Sequence, residues 1–191
     1  MSVRGFVAVA VEPARESLVE LARELAAEAP EVRWIAPEQL HLTLKFLGNI
    51  ETSRIGYVAA AVRAAVASRR AFEVEIAGVG GFPDARRPSV VWAGVRSGTR
   101  ELAALAGAVA RAVEPLGFPL DERAYKAHVT LARIRERLAA PAERALAAAL
   151  EKRAARPVAR LRVGSVELME SRLSPSGPTY VPLETFGLEA A

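Results

Sequence analysis

The chain has 191 residues, 51% hydrophobic and 25% charged, which is typical of a globular protein with a sizeable core rather than of a disordered chain. It contains no cysteine, which excludes disulfides, thiol nucleophiles and thiolate metal sites and fits a reducing compartment. Lysine and arginine outnumber aspartate and glutamate by 26 to 22, and the formal net charge of +4 is weak support for an anionic partner such as a phosphate ester or RNA.

The N-terminal apolar run covers only residues 6–11 and stops at Glu12 and Pro13. It is too short for a signal-peptide core or a membrane span, so we expect a cytoplasmic protein that does not associate with membranes. No linker, low-complexity tract or block of charge divides the chain. We therefore predict one domain over residues 1–191, acting as a monomer.

Hydrophobic periodicity predicts alternating strands and helices in the first part of the chain. The predicted elements are a strand at residues 5–11, a helix to about Ala29, a strand at 40–47 that ends at Gly48-Asn49, and a second helix capped by Thr52. A strand follows at 72–79, and the glycine-rich stretch at 80–84 has the composition of a turn.

The second part of the chain repeats this alternation. The predicted elements are a strand at 90–95, a helix capped by Ser97 or Thr99, a strand at 127–134, a helix opened by Pro141, one or two strands at 158–173, a turn at 174–178, and a strand from 179 to 188 that closes a hairpin. The third helix should bury Leu102, Leu105, Ala106, Val109 and Val113, and the fourth should bury Leu146 and Leu150.

Residues 1–70 and 90–155 thus share the order strand, helix, strand, helix, which is a weak internal repeat. This order predicts an α+β fold of two pseudo-symmetric lobes with mainly antiparallel sheets around a central cleft and helices outside. The second strands of the two halves should meet at the pseudo-twofold axis.

Those two strands carry the same phrase, His41-Leu42-Thr43-Leu44 and His128-Val129-Thr130-Leu131, and the chain has only 2 histidines. Side chains alternate between the faces of a strand, so in each phrase the histidine and the threonine share one face. Two such strands side by side bring two imidazoles and two hydroxyls into one cleft. That arrangement suits acid–base chemistry on an anion.

Other interpretations of the phrases are weaker. A single histidine in a strand is usually structural, but two copies of one phrase with the same facing favour a functional pair. Two imidazoles could ligate a metal, yet catalytic zinc usually takes three protein ligands and neither phrase contains Asp or Glu. The chain has no G-x-S-x-G, Walker or dinucleotide-binding phrase.

In-line attack on phosphorus uses both imidazoles. A neutral imidazole takes a proton from the attacking water or hydroxyl, and an imidazolium gives one to the leaving oxygen. The hydroxyls of Thr43 and Thr130 can donate hydrogen bonds to the non-bridging oxygens, and a strained cyclic phosphodiester needs no metal.

The sequence resembles the 2H phosphoesterases, and among them the RNA 2′,3′-cyclic phosphodiesterases formerly called 2′-5′ RNA ligases. The matching stretches are residues 4–9 (RGFVAV), 34–48 (WIAPEQLHLTLKFLG), 80–83 (GGFP), 87–92 (RPSVVW), 128–133 (HVTLAR) and 170–180. The long first motif is the most specific of them.

This resemblance implies a bilobal fold and metal-independent, cofactor-free hydrolysis of RNA 2′,3′-cyclic phosphate ends, or related cyclic nucleotides, to 2′-phosphomonoesters. It implies that His41 is the proton donor, that His128 is the proton acceptor, and that Thr43 and Thr130 hold the phosphate. Ala127 stands where many relatives have proline. Two alternatives stay open: a non-catalytic module that binds RNA ends or nucleotides, and an enzyme for 2′-5′ ligation or another cyclic nucleotide.

Arginines and aromatic residues near the motifs are secondary candidates. Strict alternation places Arg133 on the face opposite His128 unless the strand bulges or ends there, so we leave it out of the predicted catalytic set. Lys126, Arg133, Arg86 and Arg87 could hold RNA phosphates or serve only as solvated surface charges. Four aromatic residues could stack on a base or pack in the core: Phe46, Trp34, Trp92 and Tyr180.

Overall fold

The computed structural model describes residues 1–174 and 177–190. The described strands are β1 (Ser2–Ala10), β2 (His41–Glu51), β3 (Phe72–Phe82), β4 (Val90–Ser97), β5 (His128–Arg133), β6 (Pro157–Val163), β7 (Ser165–Ser174) and β8 (Gly177–Gly187). The described α-helices are α1 (Arg15–Glu28), α2 (Ile55–Val66), α3 (Thr99–Val113) and α4 (Ala140–Lys152). None of the described helices is long and apolar enough to cross a membrane.

The eight described strands form one sheet in the order β6-β3-β4-β5-β2-β1-β7-β8. Every pairing between these strands is antiparallel. We call β2, β1, β7 and β8 the first lobe, and β5, β4, β3 and β6 the second lobe. The motif strands β2 and β5 are neighbours at the centre, which confirms the predicted α+β class with antiparallel lobes.

The lobes are not the two sequence halves. The helix α1, which connects two strands of the first lobe, packs against α4 and against β6 of the second lobe, whereas α2 and α3 pack together beside β7, β8 and β2. β7 covers the outer edge of β1 and β3 covers that of β4, so strands from outside each repeat complete each lobe. The expected lobes therefore exist, but their composition differs from the expected halves.

The helices bury the predicted faces. All five residues expected inside α3 are buried, and so are Leu146 and Leu150 of α4. The predicted caps are wrong. Thr52 begins a 3-10 turn and its hydroxyl donates to the Met1 carbonyl at 3.2 Å, and α3 is preceded by Gly98 with φ of 79°. A Cβ on Gly98 would lie 2.6 Å from the Glu73 carbonyl oxygen, so close approach to β3 selects glycine there.

Two predicted strand ends are also wrong. β2 runs through Gly48, which adopts φ of 68° at a bulge opposite Gly5 and so bends the strand without ending it. β3 runs through Gly80 and Phe82, where a Cβ on Gly80 would lie 2.3 Å from the Trp92 ring. The glycine makes room for a large cross-strand neighbour instead of making a turn.

Of the one or two strands predicted at 158–173 the structure has two, and the predicted hairpin is confirmed. Residues 157–163 and 165–174 form β6 and β7, and β7 pairs with β8 along its length. The turn predicted at 174–178 includes residues 175 and 176, which lie outside the described residues.

Candidate active site

The two motif strands present their polar residues on one face. β2 and β5 pair through Leu42 and Val129, both fully buried. The antiparallel register around this pair sets His41 across from Thr130 and Thr43 across from His128. The arrangement has approximate twofold symmetry, and it brings together the four residues singled out by the sequence.

Each imidazole is fixed by the same kind of hydrogen bond, between Nδ1 and the backbone carbonyl two residues earlier. His41 Nδ1 lies 2.7 Å from the carbonyl oxygen of Gln39, and His128 Nδ1 lies 2.7 Å from the carbonyl oxygen of Lys126. Because a carbonyl only accepts, Nδ1 carries the proton in both rings and donates it. Nε2 of each ring is then left to exchange a proton with a bound molecule.

The surroundings of the two imidazoles favour their neutral forms. Burial lowers the pKa of His41 below its ordinary value, the bond to Gln39 opposes this, and the positive charges of Arg133 and His128 lower it further. Burial also lowers the pKa of His128, again opposed by its carbonyl bond and assisted by Arg133. An arriving phosphate anion acts in the opposite direction and favours one imidazolium.

A matched pair of bulges turns two further side chains towards this face. On β2 the register slips between Thr43 and Lys45, and on β5 it slips between Thr130 and Ala132, so one extra leucine is inserted in each. Both side chains five residues beyond a histidine, Phe46 and Arg133, line the cleft as a result. The exception attached to the predicted orientation of Arg133, a bulge in the strand, applies here, and Arg133 lines the cleft.

Aromatic rings enclose both imidazoles. The ring centroids of Phe6 and Tyr180 lie 4.8 and 5.2 Å from that of His41. Phe82 packs edge-on against His128 at 5.1 Å. The sequence reasoning did not single out Phe6 and Phe82, although both lie in stretches that carry the family resemblance. These contacts fix the ring planes and contribute the burial that lowers both histidine pKa values.

The other aromatic candidates take different roles. Phe46 is 61% exposed in the cleft and is available to a base. Trp92 packs against Phe82 with centroids 5.4 Å apart, and Trp34 lines the cleft while pairing with Ala132 of β5. Burial raises the pKa of Tyr180, so its hydroxyl stays protonated beside His41.

The segment leading to the second motif is tied to the first motif strand. Lys45, only 3% exposed on the core side of β2, donates to the Pro119 carbonyl at 2.7 Å and to Asp121 Oδ2 at 2.8 Å. The Tyr125 hydroxyl donates to the Thr43 carbonyl at 3.1 Å, and burial raises the pKa of Tyr125 so that this donor stays protonated. These bonds couple the approach to His128 to the strand that carries His41.

The remaining basic candidates lie around the second lobe. Lys126 places Nζ 5.8 Å from the centroid of the Phe82 ring. Arg86 and Arg87 lie on an exposed loop whose backbone N–H groups donate to Asp84 at 2.8 and 3.0 Å. Neither arginine lines the main cleft. Among residues 1–174 and 177–190, no three His, Cys, Asp or Glu side chains cluster as a metal site would require.

Comparison with known proteins gives a consistent result over nearly the whole chain. A model of the 2′-5′ RNA ligase superfamily matches residues 7–174. The RNA 2′,3′-cyclic phosphodiesterase of Methanothermobacter thermautotrophicus is 32% identical over 190 residues, covering 98% of this chain and 100% of the relative. The protein of the same name from Archaeoglobus fulgidus is 32% identical over 185 residues, covering 96% and 99% of the two chains.

Solved structures share the fold. The protein TT0787 of Thermus thermophilus aligns with a TM-score of 0.79 at 28% identity and 98% coverage of both chains. E. coli LigT complexed with 3′-AMP aligns with a TM-score of 0.75 at 22% identity, covering 98% of this chain and 99% of LigT. At that identity the LigT comparison concerns the fold alone.

Proposed function

Since the chain belongs to the 2′-5′ RNA ligase superfamily, we propose that it is a cyclic phosphodiesterase that opens the 2′,3′-cyclic phosphate at RNA ends to a 2′-phosphomonoester. The observation that carries this proposal is the pair of imidazoles held by identical Nδ1 bonds on adjacent strands, each with Nε2 available. The names of the relatives, RNA 2′,3′-cyclic phosphodiesterase, support the substrate class.

The proposed reaction is an in-line displacement at phosphorus. Nε2 of neutral His128 takes a proton from water as the water oxygen forms a bond to phosphorus. The bond from phosphorus to the 3′ oxygen breaks, and protonated Nε2 of His41 gives its proton to that oxygen. The products are a 3′ hydroxyl and a 2′-phosphate, with the protonation states of the two rings exchanged.

The cleft supplies partners for the charge that develops. The hydroxyls of Thr43 and Thr130 donate to the non-bridging oxygens, and the Arg133 guanidinium adds a positive charge near both imidazoles. By itself that charge lowers both histidine pKa values, and a bound phosphate balances it. The proposed mechanism uses no metal ion.

We also propose that residues 1–191 act as one bilobal unit and as a monomer. The first lobe supplies His41 and Thr43, the second supplies His128 and Thr130, and a single chain therefore completes the site.

The test is incubation of chelator-treated protein with nucleoside 2′,3′-cyclic phosphates and with RNAs that end in a cyclic phosphate. Chromatography then identifies the phosphomonoester. We expect the 2′ isomer. Formation of a 3′-phosphate would show that the 3′ oxygen is not the leaving group. Tight binding without turnover would favour a non-catalytic RNA-end module. Adding an RNA with a 5′ hydroxyl tests 2′-5′ ligation, in which that hydroxyl replaces water.

A further inference from the structure

The cleft is lined by His41, Thr43 and Thr130 and extends well beyond them, both along the first lobe as far as Gly48 and Ser171 and along the segment that follows β5. Its volume is about 1080 Å³, larger than the roughly 300–1,000 Å³ typical of a pocket for one small molecule. From His41 and Thr130 it continues along residues 31–36 and 133–139. Phe82 and Lys126, on the other side of the twofold axis, do not contribute to its lining. The cleft therefore opens past His41 and Thr130 and not past Lys126 and Phe82.

The extension begins with arginines that have no carboxylate partner. Arg133 and Arg135 are both exposed, and within the described part of the chain neither forms an ion pair. Ile134 between them packs against the core, and its N–H donates to the Ser89 carbonyl at 2.8 Å. The backbone here is therefore anchored, and both guanidiniums are carried on a fixed segment.

The positive charge continues past the cleft. A second cavity of about 340 Å³ shares residues 134–138 with the first and is also lined by Arg87. Glu143 lies 3.7 Å from Arg87 Nε and 4.0 Å from Arg137 Nε, and with Arg135 and Glu136 included the cavity is lined by three guanidiniums and two carboxylates. The hydrogen bond from the Arg87 N–H to Asp84 holds the loop that carries Arg87.

We propose that Arg133, Arg135, Arg137 and Arg87 form a basic track that binds the phosphodiester backbone of single-stranded RNA on the 5′ side of the reacting end. The inference rests on the proposed function for the identity of that end. A 2′,3′-cyclic phosphate closes the 3′ end of a strand, so the remaining nucleotides leave the site in the 5′ direction. Arginine suits this role because its guanidinium binds phosphate oxygens in a bidentate manner. The preferred substrate is accordingly an oligonucleotide, not a nucleoside cyclic phosphate.

The kinetic test compares kcat/KM for adenosine 2′,3′-cyclic phosphate with kcat/KM for an RNA pentamer that ends in the same nucleotide. We expect the pentamer to be favoured by about tenfold or more, and Arg135→Ala to reduce that ratio by about fivefold. The slope of log kcat/KM against log salt for the pentamer should become shallower by about 0.7 on loss of one phosphate contact. Arg100→Ala removes an exposed charge from α3, outside both cavities, and should leave the ratio unchanged.

A binding measurement separates this inference from the proposed function. Fluorescence anisotropy with a labelled pentamer ending in a 2′-phosphate should show weaker binding by Arg135→Ala than by Arg100→Ala. If no cyclic phosphate is hydrolysed but this difference persists, the proposed function fails and the basic track stands. Three results would each overturn the proposal of a basic track. They are equal kcat/KM for both substrates in the wild type, an equal loss of kcat/KM on both substrates in Arg135→Ala, and pentamer binding that Arg135→Ala leaves unchanged.

Discussion

Replacement of the buried Lys45 by methionine tests how the two motif strands are held together. Methionine keeps most of the apolar stem of the lysine, so the change removes the ammonium and its two hydrogen bonds without opening a large cavity. Those bonds run from Lys45 Nζ to the Pro119 carbonyl at 2.7 Å and to Asp121 Oδ2 at 2.8 Å. We expect Lys45→Met to destabilise the protein and to loosen residues 117–127 ahead of His128.

The magnitude follows from the exposure of each partner. A hydrogen bond to a charged group is worth about 1.5–3 kcal/mol, which applies to the bond between Lys45 and the part-buried Pro119 carbonyl. The Asp121 side chain is 66% exposed and regains water when its partner is lost, so that contact adds about 0–1 kcal/mol. The buried lysine charge carries a desolvation cost, and its removal offsets part of the lost stability. We expect a net decrease of about 2 kcal/mol in the free energy of unfolding.

Urea unfolding measures this free energy, and native-state hydrogen exchange locates the change. Amides of residues 117–127 should exchange faster in Lys45→Met, while those of β1 and β7 should keep their protection. Asp121→Asn is the matched control and should cost less than about 1 kcal/mol, because its side chain is mostly in solvent. A free energy of unfolding within about 0.5 kcal/mol of wild type for Lys45→Met would refute the assigned anchoring role.

Three further predictions concern the reaction. His41→Ala and His128→Ala should each lower kcat by about a hundredfold or more, with a double variant far short of the product of the two, and near-wild-type activity in either would remove that residue from the mechanism. Because burial and Arg133 lower both histidine pKa values, kcat/KM should follow a bell with its optimum on the acidic side of neutrality. Activity should rise with pH as the base loses its proton, and it should fall as the donor loses its own. His128→Ala should lose the acidic limb and His41→Ala should lose the basic limb. Arg133→Met should move both limbs to higher pH. Activity should survive EDTA and phenanthroline, and rescue of a chelated enzyme by one particular ion would contradict the metal-free mechanism.

The central pairing could be predicted because it depends on local alternation and on repetition. His41 and Thr43 share a face in any regular strand, and so do His128 and Thr130. Two copies of one pattern in a chain of this length then suggest that the strands meet, and the structure confirms their adjacency. The hydrogen bonds that set the imidazole tautomers belong to backbone carbonyls two residues earlier, which sequence patterns do not identify.

The parts that could not be predicted are set by neighbouring strands. The bulges that turn Phe46 and Arg133 into the cleft arise from the pairing of β2 with β1 and of β5 with β4. No residue within HLTLKF or HVTLAR indicates them. Gly80 has the composition of a turn, but the ring of Trp92, twelve residues later, determines its role. Sequence reasoning on one segment at a time does not contain this information.

The two matched bulges also give the reaction a polarity. The imidazoles are held by equivalent bonds on equivalent strands, and a perfectly symmetric frame would let either ring act first. Five residues after its histidine, however, the first lobe presents the neutral aromatic ring of Phe46, whereas the second lobe presents the guanidinium of Arg133. A substrate with a flat base at one end and a charged phosphate chain at the other meets two different halves. Exchanging these two side chains should therefore reverse the preferred orientation of the nucleotide while leaving in place the hydrogen bonds that hold the two imidazoles.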